Sequence, residues 1–212
     1  VWDEIQKKKR AQGRPPTYYG ILMADRDRMG RFLERADEQG QREISRTLAE
    51  FDHKEVRQIF GSENSTAAQE ESQRFGTLIY SGGDDVLALR PTAYALEYSD
   101  VLQRRFSDFW KERFGAPESC VSPMATLSAG VAVVHYKEDL RFALQTARRA
   151  EKAAKEMGRN ALALTVCRRS GEHSSVVMPW PFAAKVKAWT QAFVSTKASV
   201  RWAYRLADEV ET

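Results

Sequence analysis

Hydrophobic and polar positions over residues 18–74 predict a buried strand, two helices and a loop. Residues 18–24 form a short apolar run, typical of a central strand, and Asp25-Arg26-Asp27 follows it. A helix is expected to begin near Met29, and a second helical stretch comes after it. The apolar positions of these helices are Phe32, Leu33, Ala36, Ile44, Leu48, Phe51, Val56 and Phe60. Polar residues 61–74 indicate a surface loop.

The next hundred residues predict a β-hairpin followed by two helices and two strands. Apolar runs at 77–80 and 86–89 flank Gly82-Gly83-Asp84-Asp85, and Pro91 closes the hairpin. A helix over 94–114 is expected to bury Leu102, Phe106, Phe109 or Trp110, and Phe114. A strand at 125–134, a helix at 139–157 ended by Gly158, and a final strand at 161–167 follow. The first six principal elements match the α+β, ferredoxin-like βαββαβ order.

Three regions are expected: a basic lead-in (1–16), an α+β domain (17–170) and a helical appendage (171–212). The lead-in closes on Pro15-Pro16, which favours an extended turn. The appendage carries helical patterns over 182–193 and 200–210. Its tryptophans, Trp180, Trp189 and Trp202, are expected to serve packing, or an interface if the chain is a fragment. A first residue other than Met leaves that possibility open.

Composition narrows the class of protein without naming a partner. The 212 residues are 42% hydrophobic and 29% charged, as in an ordinary globular protein, with net charge +4. This mild basicity permits contact with RNA or nucleotides, and the basic clusters at 7–10 and 148–159 are either solvated faces or weak RNA contacts. No apolar run is long enough to span a membrane, and the first residues are not expected to form a signal peptide, because no apolar segment follows their charges. Cys120 and Cys167 are isolated, which excludes a zinc ribbon and indicates a cytoplasmic protein.

Carboxylates stand at two places that a βαββαβ sheet brings together. Asp25 ends the first strand, and Asp84-Asp85 lie at the tip of the hairpin. Phosphoryl transfer uses two divalent ions to activate a hydroxyl and neutralise pyrophosphate, and two or three aspartates suffice for Mg²⁺. Gly82 and Gly83 would let a triphosphate approach the N–H groups of the turn. Each motif alone could be a helix cap or a plain turn; together they predict a two-metal nucleotidyl-transfer site.

Four motifs in order carry a resemblance to a known family. They are ILMADRDRMGRFL (21–33), YSGGDDVLALRP (80–91), SAGVAVVHYKEDL (128–140) and ARRAEKAAKEMGRNALAL (147–164), followed by RRSGE (168–172). With them the chain resembles the catalytic palm, or GGDD cyclase/polymerase region, of the large subunit of type III CRISPR RNA-guided effector complexes, especially the Cmr (III-B) branch. It is more distantly similar to GGDEF nucleotide cyclases.

The resemblance implies an Mg²⁺- or Mn²⁺-dependent enzyme of antiviral defence. It would convert ATP to cyclic oligoadenylate second messengers when its complex recognises target RNA. Its partners would be other Cmr-type subunits, guide RNA, target RNA and a second palm, in the same larger chain or by homodimerisation. The implied catalytic residues and metal ligands are Asp25, Asp84 and Asp85. The implied nucleotide-binding residues are Ser81, Gly82, Gly83, Lys155 and Arg26, the last through its carbonyl.

The sequence departs from the family at some positions, and two other functions remain as alternatives. Arg26 stands where the family has a small residue, so its side chain is expected near the triphosphate; Asp27 is expected to cap the next helix. No His-Asp nuclease motif occurs, and His53 and His135 lack metal-ligand spacing. The alternatives are a stand-alone cyclic dinucleotide synthase and a non-catalytic scaffold of the ribonucleoprotein complex. Asp85 in place of Glu disfavours a diguanylate cyclase, and three converging carboxylates disfavour a scaffold.

Overall fold

The computed structural model describes residues 17–60, 76–115, 124–199 and 201–210, with backbone alone for 206–210. The predicted lead-in, the predicted loop at 61–74 and Cys120 lie outside these ranges. The strands are β1 (Tyr18–Arg26), β2 (Thr77–Gly82), β3 (Asp85–Pro91), β4 (Leu127–His135), β5 (Ala161–Cys167) and β6 (His173–Pro179). The helices are α1 (Met29–Arg35), α2 (Glu38–Phe51), α3 (Arg57–Phe60), α4 (Thr92–Phe114), α5 (Leu140–Glu156), α6 (Trp180–Val194) and α7 (Arg201–Val210). A π-helical turn (Asp52–Val56) joins α2 to α3.

The six strands form one sheet in the order β2-β3-β1-β4-β5-β6. Strand β1 is central and pairs antiparallel with both β3 and β4, while β5 joins β4 in parallel. The order β2-β3-β1-β4 is that of a ferredoxin-like βαββαβ unit. The predicted α+β class and the predicted convergence of the first strand with the hairpin are confirmed.

Alternation along β1 divides the core into two layers. Leu22 and Ala24 face α2 and α4, in the larger cluster that also holds Phe106. Ile21 faces the opposite way, toward α5, where Ala147 is fully buried. Successive strand residues point to opposite faces, so even-numbered positions of β1 lie on the α2/α4 face and odd-numbered ones on the α5 face. This rule decides where each site residue points.

The predicted helices are confirmed, with small shifts at their ends. Helix α1 begins at Met29, and α4 begins two residues earlier than predicted. Of the two alternatives Phe109 and Trp110, it is Trp110 that is buried. Gly158 follows α5 with a φ of 120°, a conformation that favours glycine. None of the helices in the described ranges is both long and apolar enough to cross a bilayer.

The prediction that residues 161–167 form the final strand is wrong, because a further strand precedes the helices of the appendage. Strand β6 pairs antiparallel with β5 from Ala161↔Pro179 to Cys167↔His173 and forms the sheet edge. Most of its side chains are exposed, so the segment lacks the apolar alternation of a half-buried strand. The helical part of the tail therefore begins at Trp180, whose indole N–H donates to the carbonyl of Leu127 at 2.8 Å.

Candidate nucleotidyl-transfer site

Two of the three predicted carboxylates stand in direct register. Asp25, at the end of β1, pairs with Asp85, at the start of β3. Residues opposite each other in an antiparallel pair share a face, so both carboxylates project from the α5 side of the sheet. Asp84 occupies the exposed turn between β2 and β3, beside Gly83, whose φ of 65° favours glycine. In the described part of the chain no three side chains form a ready-made metal cluster.

Helix α5 brings a lysine and a second acid to this face. The Nζ of Lys155 lies 2.8 Å from Asp25 Oδ2 and 2.6 Å from Glu151 Oε1. Lys155 therefore stands at the carboxylate pair, where a phosphate-binding lysine was predicted. Glu151 was not predicted, although its position four residues before Lys155 on one helix face was a signal for it.

The electrostatics of the pair disfavour two ionised carboxylates without a cation. Burial, and then the negative charges of Asp84 and Glu151, raise the pKa of Asp25 to about 6 against the opposing effect of Lys155. Burial and Asp84 also raise the pKa of Asp85. Burial lowers the pKa of Lys155, but its hydrogen bonds to Asp25 and Glu151 outweigh burial and raise the pKa overall. The amine is therefore held in its charged form.

These residues fit a hard divalent cation. Mg²⁺ binds oxygen, commonly through one or two carboxylates, and completes its octahedron with waters and substrate phosphates. The pair formed by Asp25 and Asp85 supplies that number of carboxylates. A cation would favour the ionised form of both, against the burial and the charge of Asp84 that raise their pKa values. Asp84, on the exposed turn, stays a predicted ligand.

Arg26 lies on the other face of the sheet. Its residue is 1% exposed, and its guanidinium lies 5.2 Å from the ring centroid of Phe51 and 5.5 Å from that of Phe106. It forms an ion pair with Asp52 and donates to the carbonyl of Gly83 at 2.5 Å. The expectation that this side chain approaches a triphosphate is therefore wrong, because the strand period turns it away from Asp25. The predicted role of its carbonyl is a separate matter and stays a prediction.

Ser81 belongs to the same buried side. It pairs with Val86, a core residue of the α2/α4 face, and its Oγ donates to Asp52 Oδ1 at 2.5 Å. A direct contact from the Ser81 hydroxyl to a nucleotide at the carboxylate face does not fit this geometry. Gly82 is constrained by a neighbour, since an added Cβ would lie 3.0 Å from the Tyr80 hydroxyl. Gly83 is open on that side, with no atom within 4 Å of an added Cβ.

The prediction that Asp27 caps α1 is wrong. The N-cap residue is Arg28, without a side-chain cap. The buried Asp27 carboxylate instead accepts hydrogen bonds from the hydroxyls of Thr126 and Ser128, each at 2.7 Å, and from the backbone N–H of Asn160 at 3.0 Å. Three hydrogen bonds stabilise the Asp27 carboxylate more than a single bond to the first turn of α1 would. Asp27 thereby connects the end of β1 to the start of β4 and to the loop after α5.

The fold and the carboxylate pair define a palm domain of the nucleotidyltransferase and nucleotide-cyclase type. Residues 18–163 match the family model of the Cas10/Cmr2 second palm domain, and the chain belongs to this family. The predicted resemblance is thus confirmed.

One curated relative and two solved structures resemble this chain. The chain is 31% identical over 208 residues to CRISPR system Cmr subunit Cmr2 of Pyrococcus furiosus, covering 85% of this chain and 22% of that protein. It therefore spans about a fifth of that relative's length. A Csm1–Csm4 cassette in complex with cA4 has a TM-score of 0.54 at 19% identity, over 78% of this chain and 23% of that one. The GGDEF domain of DgcB from Caulobacter crescentus, in complex with c-di-GMP, has a TM-score of 0.51 at 15% identity, over 76% and 84%.

Proposed function

We propose that this chain is the catalytic palm of a type III CRISPR effector large subunit, joining ATP molecules into cyclic oligoadenylates. The observation that carries the proposal is Asp25 opposite Asp85, with Lys155 at 2.8 Å from Asp25, on one face of the palm. Membership of the Cas10/Cmr2 family and the likeness to a cassette in complex with cA4 support the choice of product. The metal would be Mg²⁺ or Mn²⁺, and the site would work in the cytoplasm.

The reaction is a nucleotidyl transfer. The 3′-oxygen of one ATP forms a bond to the α-phosphorus of another, the bond from that phosphorus to pyrophosphate breaks, and the 3′-hydroxyl proton is lost. The divalent cation, when bound, lowers the pKa of this hydroxyl and neutralises the leaving pyrophosphate. Asp25 and Asp85 would hold the cation, with Asp84 beside them. Proton loss needs no histidine base in this proposal, because a bound cation would lower the pKa of the attacking hydroxyl.

Two features of the chain would bind the triphosphate. Lys155 is charged and held between two acids. Its side chain is therefore already ordered when it donates hydrogen bonds to phosphate oxygens, which lowers the entropy cost of binding. The open side of Gly83 leaves room for phosphate oxygens near the backbone of the turn. Together they would supply positive charge and N–H donors where negative charge develops in the transition state.

Synthesis of a cyclic oligomer needs a second nucleotide, and hence a second palm. It would belong to the same larger chain or to a second copy of this one. Other Cmr-type subunits, guide RNA and target RNA would complete the complex and activate it. A stand-alone cyclic dinucleotide synthase is the second candidate, because the fold likeness covers 84% of the DgcB GGDEF domain. A non-catalytic scaffold is disfavoured, since it has no need of converging carboxylates such as Asp25 and Asp85, whose pKa values burial and the charge of Asp84 raise.

Incubation of the purified chain with ATP or GTP, and Mg²⁺ or Mn²⁺, followed by mass spectrometry, tests the proposal. Cyclic adenylates are expected from the wild type and from the control Asp108→Asn, an exposed acid on α4, and none from Asp85→Asn. A cyclic dinucleotide made from GTP would favour the second candidate. If a folded wild type makes nothing, the assay is repeated with the remaining subunits and target RNA. If no product forms in that assay either, the proposed enzymatic activity is refuted and the scaffold function is favoured.

A further inference from the structure

A buried polar network lies behind the hairpin, on the sheet face opposite to Asp25 and Asp85. Its members are Arg26 of β1, Asp52 at the start of the π-helical turn, Ser81 of β2 and the carbonyl of Gly83 in the hairpin turn. The Asp52 carboxylate accepts from both Arg26 and Ser81. Three separate chain segments therefore meet at one carboxylate beneath the turn.

Stability alone does not account for this network. The Arg26 side chain is fully buried, that of Asp52 is 13% exposed, and the Arg26 Nε has no hydrogen-bond partner among the described residues. Desolvating two charges costs as much as or more than their attraction returns, and apolar replacements of buried pairs are commonly neutral or stabilising. A buried pair that adds little stability is better explained by the conformation it selects.

The helix geometry is adapted to the same contact. Helix α2 widens into a π-helical turn that begins at Asp52, the residue whose carboxylate reaches β1 and β2. Isolated π-turns inside helices occur frequently at functional sites. Here the widened turn delivers the acid that anchors Arg26.

Arg26 holds two successive carbonyls of the hairpin turn. Its backbone N–H donates to the carbonyl of Asp84 at 2.8 Å, and its guanidinium donates to that of Gly83 at 2.5 Å. The Gly83–Asp84 peptide is trans, so its C=O and N–H point in opposite directions. With the Gly83 carbonyl held toward the back of the sheet, the Asp84 N–H is directed to the front, where the carboxylates lie.

We propose that Arg26, Asp52 and Ser81 are positioning residues that fix the Gly83–Asp84 peptide from behind the sheet. The network would thereby aim the Asp84 N–H at nucleotide phosphates and hold the Asp85 carboxylate in register with Asp25. This inference rests on the proposed nucleotidyl transfer for its consequence, but the fixing of the turn is independent of activity. Arg26 acts through the turn and does not touch the nucleotide.

The test uses the full 212-residue chain with the paired change Arg26→Met/Asp52→Leu. Both charges are removed together and the apolar volume is retained, so the urea midpoint is expected to stay unchanged or rise. Amide hydrogen exchange at position 26 and across residues 82–86 is expected to quicken at least about tenfold, because a charge-assisted hydrogen bond to the turn is lost. The control is Arg105→Gln/Glu55→Gln, which removes an exposed ion pair between α4 and the same π-turn at 2.7 Å.

Two further variants keep the test decisive if the paired change does not fold. Ser81→Ala removes one hydrogen bond to Asp52 and is expected to quicken exchange at the turn less than the paired change does. Arg26→Lys keeps the charge and is expected to restore part of the protection. Exchange at the turn equal to the wild type in every folded variant would overturn the proposal.

Activity supplies the second readout. In the assay with ATP, the paired change is expected to lower kcat at least about tenfold with a smaller change in KM, since alignment rather than binding is lost. If the wild type is inactive even in the complete complex, the proposed function fails while the exchange result still decides whether the network fixes the turn. Quicker exchange with unchanged kcat would show a structural contact only and would overturn the positioning role.

Discussion

Gly130 marks the closest approach between the sheet and helix α5, and we predict that Gly130→Ala is strongly disruptive. A Cβ placed at Gly130 would lie 2.1 Å from the backbone N of Glu151 and 2.6 Å from the carbonyl oxygen of Ala147. Both are helix backbone atoms and cannot rotate away. Ordinary contact begins at 3.4 Å, so the helix must move by about 1.3 Å from a close-packed interface.

The movement is expected to affect stability and the site together. Overpacking of a filled core costs about 1–3 kcal/mol, and urea unfolding followed by circular dichroism measures this loss. The same helix carries Lys155, and a displacement of that size is expected to lengthen its 2.8 Å hydrogen bond to Asp25. Binding of Mn²⁺–ATP by calorimetry should therefore weaken more than the loss of folded protein accounts for.

Gly30→Ala is the matched control. Gly30 lies in α1, and an added Cβ there meets nothing within 4 Å. Alanine in a helix is favoured over glycine by about 0.5–1 kcal/mol, so this variant should be slightly more stable than the wild type. The packing argument is refuted if Gly130→Ala unfolds within about 0.5 kcal/mol of the wild type, the range of an ordinary surface change.

Three further predictions concern buried polar groups away from the carboxylates. Arg90→Met should leave the urea midpoint unchanged or raise it, because the Nε and Nη1 of this 1%-exposed arginine have no hydrogen-bond partner in the described ranges; a marked drop would show that its stacking on aromatic rings dominates. Trp180→Phe should cost about 1–3 kcal/mol, because the buried Leu127 carbonyl loses its indole donor; a neutral result would mean that water replaces the donor. Burial raises the pKa of the Cys167 thiol, so in a Cys120→Ser background the folded chain should react with a thiol reagent only slowly at pH 8, and fast once urea unfolds it; equal rates would contradict its burial.

The central strands β1 and β4 were predictable because both of their faces are largely buried. Continuous apolar runs of this length, such as 18–24, favour a buried strand over a helix, and the Gly-Gly between two such runs indicates a hairpin. Strand β6 was not predictable by the same means. It lies at the edge with Ser174 and Ser175 exposed, and its pairing with β5 comes from backbone hydrogen bonds that leave no hydrophobic pattern.

The residues on the carboxylate face of the site could be predicted from the strand order, but the contacts that support them could not. Once β1 and β3 are neighbours, Asp25 and Asp85 must converge, and the helix after β4 is the place for Lys155. The role of the Asp27 carboxylate could not be assigned, because its three donors lie at the start of β4, just before it, and in the loop after α5, about 100 residues away or more. A local cap and a distant hydrogen-bond network are equally compatible with an acid after a strand.

The side chain of Arg26 lies away from the carboxylates because β1 is longer than its apolar run indicates. A strand that stops at residue 24 leaves Asp25-Arg26-Asp27 in a loop, where any side chain can face a ligand. The strand continues to Arg26, which pairs with Leu127, and its two-residue period then places Asp25 and Arg26 on opposite faces. A two-residue extension of β1 thus converts an apparent nucleotide ligand into a support behind the hairpin. The same period puts Ser81 with Arg26, so substitutions at these two positions should act on the turn through the back of the sheet, whereas Asp85→Asn acts directly on the cation.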